Sequence, residues 1–178
     1  MEVSNLGKDT NEDLAEGRID LAMGLVAQFA PPRASQGVRS QQLLSDAFVC
    51  VVRDGHPLVK KRLSLADFIA LPHALVSPGG ASGGVVDTAL AQIGKKRRVA
   101  VQIPHFLVAP HVVRETDVVL TLAERIARIL APMLGLRQIA PPLELGGFST
   151  AMGWHERQHA DPAHAWLRGV IAKVVKEL

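Results

Sequence analysis

Short apolar segments alternate with amphipathic segments along this chain, and this alternation constrains the fold more than any other feature. The run "HALVS" (73–77) has the length of a buried strand, and after a glycine-rich stretch it is followed by the helical pattern "VVDTALAQIG" (85–94). The strand-like run "RRVAVQI" (97–103) comes next. A strand, a helix and a second strand in this order are typical of sheets covered by helices. The sequence therefore predicts an α/β fold.

Three further strands are predicted in the first third of the chain. Residues 2–6 are expected to form a short strand. The apolar run "IDLAMGLV" (19–26) predicts a strand that is buried on both faces. The run "LLSDAFVCVVR" (43–53) predicts a long strand that ends at Asp54 and Gly55, a pair of residues typical of turns.

The last helix is predicted to begin at Asp161 and Pro162, which suit the N-cap and the first helical position. Arg168 and most of the other charged residues of this helix are expected to face solvent. Its apolar positions recur at helical spacing and are expected to form one face. These positions are Trp166, Leu167, Val170, Ile171, Val174, Val175 and Leu178.

The bulk composition favours a folded domain. Of the 178 residues, 48% are hydrophobic and 21% are charged, which argues against disorder. The net charge of +3 is mild, and the basic clusters at 60–62 and 95–98 contain no interleaved aromatic residue, so single-stranded nucleic acid is not an expected ligand. Solvated turns are the expected role of these clusters, and a phosphate-binding patch is the alternative.

The single cysteine and the N-terminal segment indicate the compartment. Cys50 excludes an intrachain disulfide and fits a reducing environment, and its place in the run "AFVCVVR" favours packing over a reactive thiol. Residues 1–13 show no basic segment followed by an apolar core, so no secretory signal is visible. No apolar run is long enough to span a membrane. A cytoplasmic location without a membrane partner is expected.

Residues 155–159, "HERQH", match the H-E-x-x-H pattern of zinc metalloproteases. The pattern binds zinc only on a helix, where its two histidines lie about 5–6 Å apart between Cβ atoms. Residues 148–154 alternate with period 2, as in a strand, and Asp161 marks the start of a helix rather than its interior. The sequence therefore predicts a strand-to-helix junction here, and neither a metal site nor a cofactor is expected.

Two places in the chain are candidates for ligand contact. The run "SPGGASGG" (77–84) exposes main-chain N–H groups directly before a predicted helix, a setting that suits an anion, although a purely structural turn remains the alternative. His73 and His105 each follow a proline at the end of an apolar run, and His105 and Phe106 come where the carboxyl end of a strand is predicted. In parallel sheets the ligand crevice lies at these ends. A structural histidine is the alternative at both positions.

Taken together, these landmarks resemble the effector-binding domain of LysR-type transcriptional regulators. The matching pieces run in order across nearly the whole chain, and the most specific are "RDGHPL" and the C-terminal "WHERQHADPAHAWLR". The nearest branch resembles regulators that respond to small aromatic acids and nitroaromatics. The other matching pieces are "LAEGRIDLAMG", "LLSDAFVCVV", "LSLADFIALPHALVSPGG" and "RRVAVQIPHFLVAPHVVRETDVVLTLAERIA".

The resemblance implies a fold like that of type 2 periplasmic binding proteins, in which crossing strands join two Rossmann-like lobes. Lobe I would comprise 1–48 and 131–178, and lobe II would comprise 49–130. A small aromatic or carboxylic acid effector would bind between the lobes, with no catalytic residue involved. The residues expected to line the effector site are His73, Ser77, Pro78, Gly79, Gly80, His105, Phe106 and, near the first crossover, Phe29.

The sequence departs from the family pattern at its start. A full regulator has an N-terminal winged helix-turn-helix, a linker helix and the first strand and helix of lobe I, and none of these is matched here. DNA binding is therefore expected only through that unmatched domain. The incomplete lobe I is expected to favour a homo-oligomer, a dimer or a tetramer, or else to be less stable than lobe II. The alternatives are a stand-alone solute-binding protein of the same fold, a hydrolase, and a truncated remnant that joins oligomers of longer relatives.

Overall fold

The computed structural model describes residues 2–7, 9–29, 37–78, 80 and 83–177. The helices in this part of the chain are Thr10–Glu16 (α1), Leu65–Ala70 (α2), Val85–Gln92 (α3), Ala109–Arg114 (α4), Glu124–Leu134 (α5) and Pro162–Lys176 (α6). The strands are Leu21–Leu25 (β1), Val38–Arg53 (β2), Pro72–Val76 (β3), Arg98–Ile103 (β4), Val119–Ala123 (β5), Leu136–Ile139 (β6) and Gly147–His155 (β7). Among the helices described, none is long and apolar enough to cross a membrane.

The chain forms two compact units. Unit 1 comprises Met1–Ser45 and Phe148–Leu178, and unit 2 comprises Asp46–Gly147. These boundaries differ from those expected from the sequence, 48/49 and 130/131. The larger difference arises because 130/131 falls inside α5, and the strand after that helix, β6, pairs with β2 within unit 2.

The sheet of unit 2 is partly parallel. β3 pairs in parallel with β4, from Pro72 opposite Arg98 to Val76 opposite Ile103, and it also pairs in parallel with β5. β2 pairs antiparallel with β5 and with β6. The structure confirms the α/β architecture and the order strand, helix, strand across residues 73–103. The short strand β6 was not predicted.

Helices cover both faces of this sheet, as the composition of β2 requires. Val49 and Val51 pack on the face of α4 and α5, whereas Cys50 and Val52 pack on the face of α2 and α3. This alternation follows from the period-2 geometry of a strand and explains why residues 47–52 are all apolar. Burial raises the pKa of the Cys50 thiol to about 11, so the thiol stays protonated and packs as an apolar group.

Unit 1 has a smaller core around an antiparallel pair of strands. β1 pairs with β7, from Leu21 opposite Trp154 to Leu25 opposite Thr150. Only one face of β1 is covered, because Met23 is 53% exposed and Leu25 is 48% exposed. The expectation that this strand is buried on both faces is wrong. The buried residues of this core are Leu14, Ala22, Phe29 and Ala151.

The strand expected at residues 2–6 is also wrong, since residues 2–7 form no regular element. A strand requires a ladder partner, and no described strand pairs with this segment. The apolar residues Val3 and Leu6, which suggested a strand, are instead exposed.

The last helix, α6, begins where the sequence predicts. Asp161 is the N-cap, and its side chain accepts a hydrogen bond from His164 N at 2.7 Å. The apolar positions do not form one buried face, because Trp166, Val170 and Val174 lie on an outward stripe at 69%, 38% and 51% exposure. Leu178 lies outside the described residues.

Candidate functional site

The two loops that follow β3 and β4 leave the sheet of unit 2 in opposite directions. β3 leads to α3, which packs on the same face as Cys50, and β4 leads to α4, which packs on the opposite face with Val51. β3 and β4 are neighbouring parallel strands, so their carboxyl ends lie side by side. In α/β sheets the ligand crevice forms at such a place. This topological switch point is the place where α/β sheets bind small molecules.

The first loop at the switch point carries the glycine-rich turn. Ser77 N donates to Ile103 O at 2.9 Å and so joins the ends of β3 and β4, and Gly80 N donates to Ser77 O at 3.1 Å. Gly80 has φ +70, in the left-handed region that favours glycine, and no atom lies within 4 Å of where a Cβ would be. Pro78 is exposed, and Gly79 lies outside the described residues.

The second loop carries His105 and Phe106. Both residues follow β4 directly and both are exposed, with Phe106 at 45%. The carbonyl of His105 accepts hydrogen bonds from Val108 N and Ala109 N, which fixes the turn into α4. An exposed aromatic ring and an exposed imidazole at the carboxyl end of a parallel strand are available to a ligand.

His73 lies at the other end of β3. It is the second residue of the strand, four residues before Ser77, which corresponds to about 13 Å along a strand. Its side chain is fully buried, and its Nε2 donates to Phe68 O at 2.6 Å. Its Nδ1 accepts from Arg97 Nη1 at 3.3 Å. The structure therefore places His73 apart from Ser77, His105 and Phe106.

The environment of His73 keeps it neutral. Burial lowers the pKa of the imidazole to about 4, and the Arg97 guanidinium acts in the same direction, whereas the Phe68 carbonyl and the Asp87 carboxylate act against it. A proline before a histidine marks the start of this strand, not its end. Residue type and spacing alone do not show whether a proline and histidine pair lies at the start or at the end of a strand.

Phe29 belongs to the core of unit 1 and is only 4% exposed. Its ring lies against Gly153 of β7, where a Cβ would come within 2.5 Å of the ring carbons. Gly153 is therefore required by the close approach of this ring. In the described structure Phe29 packs within its own unit.

The "HERQH" segment joins β7 to α6, as predicted. His155 ends the strand, Glu156–Gln158 form one turn of 3-10 helix, and α6 begins after Asp161. The ring of His159 stacks on Trp154 with centroids 6.1 Å apart. Within the described residues, no three His, Cys, Asp or Glu side chains lie close enough to hold a metal ion.

The Glu156 carboxylate of this segment is engaged in an ion pair. It accepts from Arg39 Nη2 at 2.6 Å, and this guanidinium holds the pKa of the Glu156 carboxyl below its usual value. An exposed carboxylate held ionised by an arginine does not have the raised pKa that suits a general base at neutral pH.

The same segment fastens α1 and α6 to the strands of unit 1. Arg157 Nη1 donates to Ala15 O at 2.7 Å and Nη2 donates to Leu14 O at 2.6 Å, which satisfies carbonyls at the end of α1. His164 Nε2 donates to Asp20 O at 3.0 Å. These contacts give the long C-terminal motif a structural role in unit 1.

Arg168 was expected in solvent, and this expectation is wrong. It is only 9% exposed, and its guanidinium lies 4.6 Å from the centroid of the Trp154 ring. It also donates to Gln158 O at 3.2 Å, to His159 O at 2.8 Å and to the Nδ1 of His164. Helical spacing from His164 to Arg168 places both on the inward face of α6.

A structural role also explains the "RDGHPL" motif in unit 2. His56 is 4% exposed, and its Nδ1 accepts the main-chain N–H of Leu58 and of Val59. Its Nε2 therefore carries the proton and donates to Asp117 O at 3.1 Å. Arg53 binds the Asp117 carboxylate at 2.7 Å. The motif ties the turn after β2 to the start of β5.

One polar cluster in unit 1 was missed by the sequence analysis. The hydroxyls of Ser45, on β2, and Ser149, on β7, lie 2.8 Å apart. Gln42 Nε2 lies 3.1 Å from the first oxygen and 3.4 Å from the second. Nothing in the sequence spacing pairs these residues, because the contact spans 104 positions of the chain.

A protein-family model described as the LysR substrate binding domain matches residues 3–176. The chain belongs to this family.

Three relatives illustrate the membership. The transcriptional activator NahR of Pseudomonas putida is 32% identical over 158 residues, which are 89% of this chain and 51% of NahR. A probable transcriptional regulator from Pseudomonas aeruginosa is 36% identical, with a TM-score of 0.78 over 90% of this chain and 51% of the regulator. The regulatory domain of MexT from the same species is 30% identical, with a TM-score of 0.75 over 92% of this chain and 76% of that domain. The LysR-type chain described here thus spans about half the length of the curated relatives it matches.

Proposed function

We propose that this chain is the effector-sensing part of a LysR-type transcriptional regulator, and that unit 2 binds a small aromatic or carboxylic acid at the carboxyl ends of β3 and β4. The observation that carries the proposal is the switch point itself. Neighbouring parallel strands send their loops to opposite faces, and the two loops present a glycine turn on one side and His105 with Phe106 on the other.

The residues at the switch point suit an acid with a ring. The left-handed residue Gly80 allows the main chain of the turn to approach a ligand closely, and its N–H groups favour a carboxylate. His105 adds an imidazole N–H donor for the same carboxylate. Phe106, half-exposed, offers a flat apolar surface to an aromatic ring.

His73 and Phe29 take a different place in this proposal. Both are buried in the cores of their own units, His73 with both ring nitrogens engaged. We infer that each stabilises the core of its own unit and does not contact the effector. Of the residues that the family resemblance implies, only those in the two loops of the switch point are therefore proposed to contact the effector.

The sensing role implies partners beyond the effector. The parent regulator would be a cytoplasmic homo-oligomer, a dimer or a tetramer, that binds DNA through a separate winged helix-turn-helix and has no enzymatic activity. The exposed apolar side chains Met23, Leu25 and Trp166 support self-association of unit 1. Effector binding would act by stabilising one arrangement of the protein more than another.

Isothermal titration calorimetry with a panel of benzoates and salicylates tests the site. The chain is expected to bind at least one acid of the panel, and both H105A and F106A are expected to weaken that binding about tenfold or more. H111A and L107A are matched controls, because both residues are exposed in the same unit but lie beyond the predicted contact. Binding that H105A and F106A leave unchanged would contradict the assignment of the site.

A further inference from the structure

We propose that Arg97, whose side chain is almost fully buried, is a positioning residue that fixes the end of the glycine-rich turn by holding Asp87. This inference rests on the proposed function, since it assigns to Arg97 a part in shaping the effector site. The basic run "KKRR" suggested solvated charges, yet the side chain of Arg97 is only 2% exposed.

The last residues of the turn are held by Asp87 on the first turn of α3. Gly84 N donates to Asp87 Oδ2 at 2.8 Å, which caps the helix where the turn ends. Gly83 has φ +95, and a Cβ there would lie 3.5 Å from the Asp87 Cβ. The Asp87 carboxylate therefore holds the last residue of the turn through the Gly84 N–H.

Arg97 holds that carboxylate with both arms of its guanidinium. Nε donates to Asp87 Oδ1 at 2.9 Å and Nη2 donates to Asp87 Oδ2 at 2.7 Å. These bonds lower the pKa of the Asp87 carboxyl below its usual value. A two-pronged contact fixes the orientation of a carboxylate as well as its charge.

The remaining nitrogen of Arg97 connects to the interior of the unit. Nη1 donates to His73 Nδ1 at 3.3 Å, and His73 Nε2 donates to Phe68 O at 2.6 Å. Phe68 and His73 also pack edge to face, with centroids 4.5 Å apart. The chain of contacts therefore runs from Gly84 through Asp87, Arg97 and His73 to α2, so the turn at one end of β3 is anchored to the buried residue at its other end.

This arrangement gives Arg97 an effect that a merely structural residue would not have. A residue that only stabilises unit 2 would protect all amides of the sheet alike. Arg97 acts through Asp87, so its loss is expected to free Gly84 selectively. A lysine is not expected to replace it, because an ammonium cannot hold both carboxylate oxygens and His73 in one plane.

Amide hydrogen exchange of the whole chain, followed residue by residue by NMR, tests the inference without a ligand. Gly84 is expected to exchange at least tenfold faster in R97Q and in D87A, relative to Ala74 and Leu75 of β3 in the same variant. Adding R97Q to D87A is expected to change Gly84 no further. R98Q is the matched control, since Arg98 is the adjacent, exposed residue. R97K, which keeps the positive charge but not the two-pronged contact, is expected to behave like R97Q and keeps the test decisive if R97Q does not fold.

Two results would overturn the inference. One is Gly84 exchange that rises in R97Q no more than that of β3. The other is an additive double variant. Salicylate titration of the same variants adds a second readout, where R97Q and D87A are each expected to raise Kd about tenfold. If the wild-type chain binds neither salicylate nor benzoate, the proposed ligand class fails, while the exchange result still decides the role of Arg97.

Discussion

Each unit of this protein buries an arginine against a histidine, and the two pairs share one geometry. In unit 2 Arg97 donates to the Nδ1 of His73, and in unit 1 Arg168 donates to the Nδ1 of His164. In both, the Nε2 of the histidine donates to a main-chain carbonyl. In both pairs the Nδ1 of the histidine therefore accepts a hydrogen bond from a guanidinium.

The pairs differ in what balances the buried positive charge. Arg97 forms an ion pair with Asp87 at 2.7 Å. No Asp or Glu side chain among the described residues lies within ion-pair distance of Arg168, whose guanidinium contacts main-chain carbonyls and the face of Trp154. In unit 1, carbonyl dipoles and the face of the Trp154 ring thus stabilise the buried positive charge, whereas in unit 2 a carboxylate stabilises it. Of the two pairs, only Arg97 with His73 connects, through Asp87, to the start of a helix beside the proposed site.

The largest effect in this comparison is expected from R168M. The substitution leaves two carbonyls and His164 without a donor and removes the cation from the ring of Trp154, so the free energy of unfolding is expected to fall by about 3 kcal/mol. Urea denaturation followed by Trp fluorescence measures the change. K173M on the exposed side of α6 is the control, with an expected change below about 0.5 kcal/mol. Equal effects of the two variants would show that Arg168 is not structurally important.

A smaller effect on the free energy of unfolding is expected when the pH is lowered, because His73 of unit 2 then becomes protonated. The unfolded imidazole of His73 takes up a proton near pH 6.5, whereas the folded one does so near pH 4, so the unfolded state binds more protons between these values. Stability is therefore fully present above pH 6.5 and is lost as pH falls towards 4. The expected loss from this residue is about 2 kcal/mol between pH 8 and pH 5.

A variant without a titratable group at position 73 tests whether His73 causes this pH dependence of stability. H73Q is expected to flatten the fall in unfolding free energy between pH 6.5 and pH 5, and the exposed-histidine control H111Q is expected to leave it as in the wild type. Denaturant midpoints at several pH values provide the measurement. An acid dependence that is the same in all three proteins would place the titrating group elsewhere. Asp87 acts in the same direction but at lower pH, since Arg97 lowers the pKa of its carboxyl.

The fold was predictable where local pattern and tertiary packing agree. Residues 47–52 are all apolar because helices cover both faces of their sheet. Asp161 with Pro162 begins α6 as their residue types indicate. The strand β6 was missed because four residues that alternate weakly are specified by their partner β2 rather than by themselves. The exposure of β1 depends on which surfaces other elements cover, and a single sequence does not contain that information.

The candidate site was predictable only in part, for a similar reason. His105 follows β4 at its carboxyl end, so order along the chain was enough to place it at the switch point. His73 follows a proline in the same way, but that proline opens β3, and the histidine lies at the opposite end of the strand. The burial of Arg97 and Arg168 could not be foreseen, because each depends on partners that the fold brings together.

The most direct test of the proposed site is a two-dimensional amide NMR titration of the chain with salicylate and benzoate. We expect the signals of Ser77, Gly80, His105 and Phe106 to shift with a common saturation curve, whereas the signal of Arg98, at the other end of the sheet, stays in place. Two results would contradict the claim that the switch point of unit 2 binds the effector. One is a set of shifts confined to the end of the sheet that carries Arg98. The other is saturable binding that leaves the amide signals of these four residues unshifted.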